Sequence, residues 1–307
     1  MPTRDDVCVL VPTLDEAETI GDVVAAYRDE GFEHILVVDG GSTDETMELA
    51  AAAGARVVTQ SRSGKGQAVR EAVADHIDVP YVLLVDGDGT YLASDADTML
   101  EPLDDGYDHV IGNRFADMHD DAMTWVNRVG NKLFNRAFEL IHGTDYGDIL
   151  SGYRAFSRES FERMALSAQG FGIETEMAVE CAKHGLRTAV VPITYLPRPS
   201  GSNTNLSPLR DGGIILLELY RRAKTNNPLF YFGSIGLLST ATGLGIALWV
   251  GYEWFIRGIS HEVMAIVSAS AILFGVQLLM FGVLSDLIFS LHREQLTRLD
   301  RLEDELE

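Results

Sequence analysis

Two aspartates separated by one glycine have the residue types and the spacing to hold a cation. Residues 82–85 read Val-Leu-Leu-Val, which is typical of a buried strand, and Asp86 and Asp88 follow directly. Where the chain turns after a strand, two such carboxylates can converge on one ion. Hard cations such as Mg²⁺ and Mn²⁺ prefer oxygen ligands and often bridge to substrate phosphates. The pair therefore predicts a metal-assisted phosphate site at the end of a strand.

Short apolar segments alternate with helical segments around this pair. Thr13 and Glu16 have the spacing of a capping box, so we expect the first helix to begin there. The alternation predicts a mostly parallel α/β sheet, in which ligands bind beyond the carboxyl ends of the strands. Glu16, Asp39 and the pair Asp86 and Asp88 fall at those ends. The predicted strands span residues 7–11, 35–38, 56–59 and 82–85.

Composition narrows the classes of partner. The formal net charge is −22, and only four of the 24 basic residues are lysines. Nucleic acid is disfavoured as a partner, because Lys and Arg hold phosphate backbones. Excess acid with few lysines is typical of a high-salt cytoplasm, where charge repulsion is screened; an ordinary acidic protein is the alternative. Cys8 and Cys181 lie in apolar segments, which indicates reduced, buried thiols.

Two common nucleotide-binding motifs are missing from the sequence. The segment 64–67, Gly-Lys-Gly-Gln, lacks the spacing and the hydroxyl of an ATPase phosphate loop, and no G-x-G-x-x-G follows the first strand. These differences disfavour an ATPase and a dehydrogenase. The segment 64–66 is either part of the site or no more than a tight loop.

Several motifs, taken in order, resemble those of family 2 glycosyltransferases. They are residues 12–16 (Pro-Thr-Leu-Asp-Glu), 37–44 (Val-Val-Asp-Gly-Gly-Ser-Thr-Asp), 64–66 and 86–88. Three later segments, 112–114, 148–154 and 198–202, resemble the dolichyl-phosphate mannose and glucose synthase branch. The haloarchaeal dolichyl-phosphate hexosyltransferases that begin the S-layer N-glycan are the most similar group. The resemblance covers roughly residues 7–225.

This resemblance implies a fold, a reaction and a cofactor. The fold is GT-A, a Rossmann-like, mostly parallel sheet. The reaction transfers a hexose from a nucleotide sugar, of the UDP-glucose or GDP-mannose class, to dolichyl or another polyprenyl phosphate. The cofactor is Mg²⁺ or Mn²⁺.

The resemblance also implies roles for matching residues. The base and the ribose are held by Pro12, Leu14, Glu16, Val37 and Asp39. The remainder of the nucleotide-sugar site is formed by Asp86, Gly87, Asp88 and Thr90, with Asp86 and Asp88 as metal ligands. The acceptor phosphate is bound by Arg114, Arg198 and Arg128, the last a weaker candidate. The catalytic set is Asp86, Asp88, Arg114 and Arg198.

Three positions depart from the family pattern. Gly40 replaces a second aspartate, Thr90 replaces the glutamine of many mannose synthases, and Thr204 replaces a lysine. These differences leave the choice between GDP-mannose and a UDP-hexose open.

Structural roles are the alternative for several of these residues. Asp39 is also explained as a turn residue and Glu16 as a helix cap. Arg154 is explained by a structural pair with Asp148. Glu174, at the start of an apolar helix, is explained by complementing the helix dipole, as is Glu176.

The implied acceptor determines which chemistry is needed. A lipid phosphate is mostly dianionic at neutral pH and is already nucleophilic, so no general base is required. In-line attack inverts the anomeric carbon. If the acceptor is instead a hydroxyl, Asp148 is the candidate base. The rival functions are a transferase that elongates a lipid-linked glycan or polysaccharide, and a non-catalytic nucleotide-binding membrane scaffold.

Two apolar segments, 229–254 and 263–289, each exceed the roughly 20 residues needed to span a bilayer. Their short connector, 255–262, predicts a transmembrane hairpin. The basic residues that flank the two spans are Arg221, Arg222, Lys224, Arg293, Arg298 and Arg301, against Arg257 alone in the connector. The positive-inside rule places the catalytic domain and both termini in the cytoplasm of a two-span cell-membrane protein.

The predicted organisation has three parts. Residues 1–225 form the catalytic domain, 226–290 the two transmembrane helices, and 291–307 a cytoplasmic amphipathic tail. Segments near 122–141 and 208–225 have apolar residues at helical spacing, interrupted by basic ones in the first, and are predicted to lie on the membrane surface. Packing of these helices on the sheet is the alternative.

Overall fold

The computed structural model describes residues 2–119, 121–167, 172–198 and 227–304. The chain divides into two compact units, Met1–Ile215 and Leu216–Glu307. The predicted interfacial segment 208–225 and Thr204 lie outside the described residues. Residues 199–202 of the last motif, the basic residues Arg221, Arg222 and Lys224, and residues 305–307 of the predicted tail also lie outside them.

A seven-stranded mixed sheet forms the first unit. Its order is β3-β2-β1-β4-β6-β5-β7. The first four strands in this order are parallel, β6 runs antiparallel to both neighbours, and β7 is parallel to β5. The predicted α/β sheet of GT-A type is therefore confirmed. The strands are β1 Val7–Thr13, β2 His34–Asp39, β3 Arg56–Thr59, β4 Tyr81–Leu84, β5 His109–Met118, β6 Arg154–Ser157 and β7 Thr188–Tyr195.

Central strands of this sheet are buried on both faces. All seven residues of β1 are buried. In β2 and in β4, every residue except the first is buried. Burial of each large apolar side chain stabilises the fold by about 1.5–3 kcal/mol. Continuous apolar runs are expected for such strands, because helices cover the two faces of a parallel sheet. In the strand register Thr13 lies opposite Asp39 and Leu10 opposite Leu84, so β1, β2 and β4 end at one edge.

The helices of this unit largely match the predicted segments, with one correction at the first. The predicted start near Thr13 is wrong, because Thr13 ends β1 and the helix begins at Ile20. The backbone N–H of Glu16 donates to Thr46 Oγ1 at 2.8 Å instead of forming a capping box. The helices are α1 Ile20–Asp29, α2 Thr46–Ala52, α3 Lys65–Asp75, α4 Ala96–Asp104, α5 Trp125–His142, α6 Arg158–Glu162 and α7 Ile173–His184.

Helix α5 has two apolar faces. Phe138 and Ile141, near its C-terminal end, are buried in the domain, as the packing alternative predicts for these two residues. Trp125, Val129 and Leu133 are exposed, with Trp125 75% accessible. These three residues are spaced by four and therefore follow one side of the helix.

The described part of the second unit contains two long antiparallel helices, α8 (Pro228–Arg257) and α9 (Glu262–Asp304). Ser239 Oγ donates to Ala271 O, and Ser268 Oγ donates to Gly243 O, both at 2.8 Å. Both helices are long and apolar enough to cross a membrane. The predicted hairpin is present, but α9 continues unbroken into the segment predicted as a separate tail.

Arg154, the first residue of β6, is completely buried and holds the preceding loop by hydrogen bonds. Its guanidinium donates to Ser151 O at 3.0 Å and Ile149 O at 2.8 Å, and it contacts His109 Nε2 at 3.0 Å. The structural role is confirmed, but its expected partner Asp148 is engaged elsewhere. Burial, helped by the charge of Arg154, holds the pKa of His109 well below its usual value.

His109 should give the folding stability a pH dependence of definite sign. In the unfolded chain the imidazole takes up a proton below about pH 6.5, whereas in the folded chain it stays neutral. The unfolded state then binds more protons, and stability falls as the pH drops below that value. Between about pH 7 and pH 5 we expect a larger fall in melting temperature for the wild type than for His109→Gln. Equal acid sensitivity of the two proteins would contradict this role.

Candidate active site

The loop after β1 and the turn after β2 are joined by hydrogen bonds. Asp15, in a left-handed conformation with φ +54°, donates its N–H to Ser42 Oγ at 2.9 Å. Asp15 Oδ1 accepts from Thr43 N at 2.7 Å. Asp39 is fully buried, and its carboxylate accepts from Gly41 N and Ser42 N. Asp39 therefore shapes the turn, as its structural alternative predicts.

Three other residues were expected to hold the base and the ribose: two are buried in the core and one is exposed. Pro12 and Val37 are buried within β1 and β2. Leu14 is 46% exposed and packs beside Gly40, where an added Cβ would lie 3.4 Å from its side chain. Leu14 is therefore the one of these three with a side chain at the surface.

Asp86 and Asp88 follow β4 at the edge where β1 and β2 also end. Asp86 Oδ1 forms an ion pair with Lys65 Nζ, and 26% of the Asp86 side chain remains exposed. Asp88 is 2% exposed, and its Oδ1 accepts from Thr90 Oγ1 at 2.6 Å. Asp88 Oδ2 pairs with Arg198 Nη2 at 2.6 Å. Each acid thus has its own cationic partner.

Glu16 supplies a third carboxylate next to this pair. Its Oε2 is buried without a hydrogen-bond partner and lies against Gly87, between the two aspartates. Burial, and then the charges of Asp88 and Asp86, raise the pKa of Glu16 to about 8. Burial and the charge of Asp86 also raise the pKa of Asp88, against the lowering effect of Arg198. The site therefore has a deficit of positive charge.

Lys65 and Glu174 belong to this cluster. The sequence analysis left the segment of Lys65 open between the site and a tight loop, and it gave Glu174 a structural role only. Lys65 begins α3, and its Nζ lies 2.5 Å from Glu174 Oε1 in the first turn of α7. Burial alone would lower the pKa of Lys65, but the carboxylates of Asp86 and Glu174 outweigh it and raise that pKa. The signal for Lys65 was its Gly-Lys-Gly setting in a chain with only four lysines.

Two glycines allow the carboxylates to pack against the backbone. A Cβ at Gly152 would clash with Asp86 Oδ2, and a Cβ at Gly87 would clash with Glu16 Oε2. The N–H of Gly152 donates to Tyr91 Oη at 3.1 Å, which fixes this loop against the core. The positions of Asp86 and Glu16 therefore depend on the absence of a side chain at Gly152 and at Gly87.

The three predicted phosphate-binding arginines have different environments. Arg198 pairs with Asp88 and has 37% of its side chain exposed. Arg114 binds Asp148 through Nε at 2.7 Å and Nη2 at 2.8 Å, and both residues are buried. Arg128, on α5, places Nη2 3.4 Å from Met118 Sδ. The structure therefore joins only Arg198, of these three, to the aspartate pair through a described contact.

The residues present fit a hard divalent cation. Asp86 and Asp88 offer carboxylate oxygens, and the partnerless Oε2 of Glu16 adds a third oxygen at Gly87. Hard cations take such ligands and often complete their shell with substrate phosphates and water. Within the described ranges, no three or more His, Cys, Asp or Glu side chains are grouped so that they could hold a metal ion by themselves. The cluster is therefore a partial ligand set.

A mixed GT-A-like sheet with an Asp-x-Asp pair at its carboxyl edge defines the class of the protein as a glycosyltransferase. Residues 8–165 match Glycosyl transferase family 2, and the chain belongs to this family. It is 72% identical over 303 residues to "Glycosyltransferase AglJ" of Haloferax volcanii, covering 99% of this chain and 100% of that protein. It is 34% identical to "Dolichyl-phosphate hexose transferase" of the same organism, covering 69% and 92%.

Solved structures have the same fold. Glucosyl-3-phosphoglycerate synthase from Mycobacterium tuberculosis, in complex with Mn²⁺, UDP-glucose and phosphoglyceric acid, aligns with a TM-score of 0.57. The alignment covers 69% of this chain and 79% of that one at 24% identity. The likeness confirms the GT-A architecture of the catalytic unit.

Gly152→Ala should displace Asp86 and impair transfer. Because misplacement by about 1 Å can cost roughly 100-fold, we expect a loss of that order in kcat/KM. The matched control is Gly21→Ala, where an added Cβ has no atom within 4 Å. Melting temperatures and initial rates measured for both variants provide the test. Full activity of a folded Gly152→Ala protein would contradict the placement of Asp86.

Proposed function

We propose that this protein is a metal-dependent, inverting hexosyltransferase that moves a hexose from a nucleotide sugar to dolichyl or another polyprenyl phosphate. The observation that carries the proposal is the cluster of Asp86, Asp88 and Glu16, in which the carboxylates outnumber their cationic partners. Such a site attracts a divalent cation and, through it, a diphosphate. The 34% identical relative named as a dolichyl-phosphate hexose transferase supports the acceptor.

Departure of the nucleotide diphosphate is the step that needs stabilisation. The bond between the anomeric carbon and the diphosphate oxygen breaks, and its electron pair stays on the diphosphate. Mg²⁺ or Mn²⁺, held by Asp86 and Asp88, would supply Lewis-acid stabilisation of that charge. Arg198, next to Asp88 and 37% exposed, is positioned to bind a phosphate through its planar fork of N–H donors.

The acceptor phosphate supplies the nucleophile. One of its oxygens bonds to the anomeric carbon from the face opposite the leaving group, which inverts the configuration. No proton needs to be removed, because the phosphate is largely dianionic at neutral pH. This agrees with the burial of Asp148, the candidate base for a hydroxyl acceptor, whose two oxygens both accept from Arg114.

Membrane attachment follows from the second unit. Helices α8 and α9 would span the cell membrane as a hairpin, with the catalytic domain and both termini in the cytoplasm. The basic residues outside the spans support this orientation, since Arg257 alone lies near the connector. The product would be a lipid carrying a single sugar, the first intermediate of a lipid-linked N-glycan, such as that of an S-layer.

Helix α5 would contact the bilayer surface. Trp125, Val129 and Leu133 form one exposed apolar stripe, and the basic side chains of Lys132 and Arg136 stand exposed beside it. A helix of this composition binds the interface with its apolar side toward the acyl chains and its basic groups among the head groups.

Transfer should depend on the donor, on the cation and on Asp88. Membranes containing the full chain are incubated with dolichyl phosphate and labelled UDP-glucose, GDP-mannose or UDP-N-acetylglucosamine, with Mn²⁺ or with a chelator. We expect one donor to give a singly glycosylated lipid phosphate, and the chelator to abolish it. Asp88→Ala should lose at least about 100-fold in rate, because charge stabilisation at the leaving group is lost.

The matched control for Asp88→Ala is Asp22→Ala, an exposed aspartate on α1. It should retain wild-type activity. Undiminished transfer by Asp88→Ala identifies a non-catalytic role for the pair. Label found in longer glycans, but never in a single-sugar lipid phosphate, identifies an elongating transferase instead.

The lipid contact of α5 can be measured by fluorescence. The full chain has three tryptophans, and Trp249→Phe with Trp254→Phe leaves only Trp125. In vesicles with brominated acyl chains, we expect strong quenching of Trp125, because its ring would lie near the acyl chains. The control replaces all three tryptophans by Phe and places one at Leu49→Trp, on α2, which should not be quenched. Equal, weak quenching of both proteins would contradict the proposed contact.

A further inference from the structure

Lys65 is held between carboxylates from two separate elements. Its Nζ pairs with Asp86 Oδ1 after β4 and lies 2.5 Å from Glu174 Oε1 at the start of α7. The side chains of Lys65 and Glu174 are only 11% and 6% exposed, whereas that of Asp86 is 26% exposed. One ammonium is therefore shared between an enclosed carboxylate and a carboxylate that is partly exposed to solvent.

This arrangement conflicts with metal binding unless Lys65 changes partner. A divalent cation on Asp86 would lie close to the ammonium, and like charges repel strongly where water is largely excluded. Arg198, the partner of Asp88, is 37% exposed and can follow a phosphate outward. Lys65 is enclosed, so it must stay near the cluster when Asp86 takes another cation.

We propose that Lys65 is the internal counter-ion of Asp86, and that Glu174 is the positioning residue that retains Lys65 when a divalent cation binds Asp86. The exchange transfers no proton, since Lys65 stays an ammonium and only its carboxylate partner changes. Glu174 therefore sets how readily Asp86 becomes available. The inference rests on the proposed function for the cation and assigns a role to residues that do not touch the sugar.

The prediction concerns Mn²⁺ affinity and not only activity. The detergent-solubilised full chain is titrated with Mn²⁺ in the presence of UDP and, in a parallel series, of GDP, at one fixed KCl concentration. Unbound Mn²⁺ is followed by electron paramagnetic resonance. Glu174→Gln should weaken binding about tenfold, because Lys65 then has only Asp86 as a carboxylate partner. Lys65→Met should tighten binding about tenfold, because the competing charge is gone. The double variant should match Lys65→Met.

The double variant, Lys65→Met with Glu174→Gln, distinguishes two ways in which Glu174 could act: by retaining Lys65, or by its negative charge alone. If Glu174 acted only by its charge at a distance, Glu174→Gln would weaken Mn²⁺ binding equally with and without Lys65, and the inference would be overturned. Glu176→Gln is the matched control, since it removes one charge from the same helix end while Glu176 accepts from Ser167 N and Oγ. It should leave Mn²⁺ affinity unchanged.

Two further outcomes separate this inference from the proposed function. If the wild type binds no Mn²⁺ with either UDP or GDP, the metal-dependent function fails and the inference fails with it. If the wild type binds Mn²⁺ and Glu174→Gln binds it equally well, the inference alone fails. Melting temperatures show whether each variant is folded. Should Lys65→Met not fold, the comparison of Glu174→Gln with Glu176→Gln decides.

Discussion

Crowding of negative charge at one edge of the sheet is the constraint on which the rest of the site depends. Four carboxylates share two cationic partners, and the least satisfied of them, Glu16, has its pKa raised to about 8. Placing like charges together is costly unless a ligand brings opposite charge, so the cluster favours a ligand that carries positive charge. The members are Glu16, Asp86, Asp88 and Glu174, with Lys65 and Arg198 as their partners.

The parallel sheet produces this crowding through its register. Because Thr13 lies opposite Asp39 and Leu10 opposite Leu84, the segments that follow β1, β2 and β4 leave the sheet at one edge. The first two are then tied together by side-chain hydrogen bonds, such as Glu16 N to Thr46 Oγ1. Thr19 Oγ1 donates to the carbonyl of Gly87 at 2.6 Å and binds the third segment to the first. The turns are thereby positioned by contacts that involve no ligand.

Sequence patterns predicted the features that depend on residues close together in the chain. They failed for features that contacts between distant residues determine. The apolar runs gave the strands, and the position of Asp86 and Asp88 after one of them gave the acidic pair. The capping box failed because Thr46, 30 residues away, takes the N–H of Glu16. The pairing of Lys65 with Glu174 joins residues 109 positions apart, which no local pattern encodes. Periodicity likewise revealed the apolar residues of α5, but not which of them the domain would bury.

The different cations at the two aspartates suit different tasks. An ammonium is a compact charge that fits between two carboxylates, whereas a guanidinium is a planar fork suited to a phosphate. The chain has few lysines, yet one of them occupies this enclosed position. Salt screens exposed ion pairs far more than buried ones, so in concentrated salt the pairing of Lys65 persists while surface attractions weaken. Exchange at Asp86 is therefore governed by the local arrangement of Lys65 and Glu174, and much less by the acidic surface of the protein.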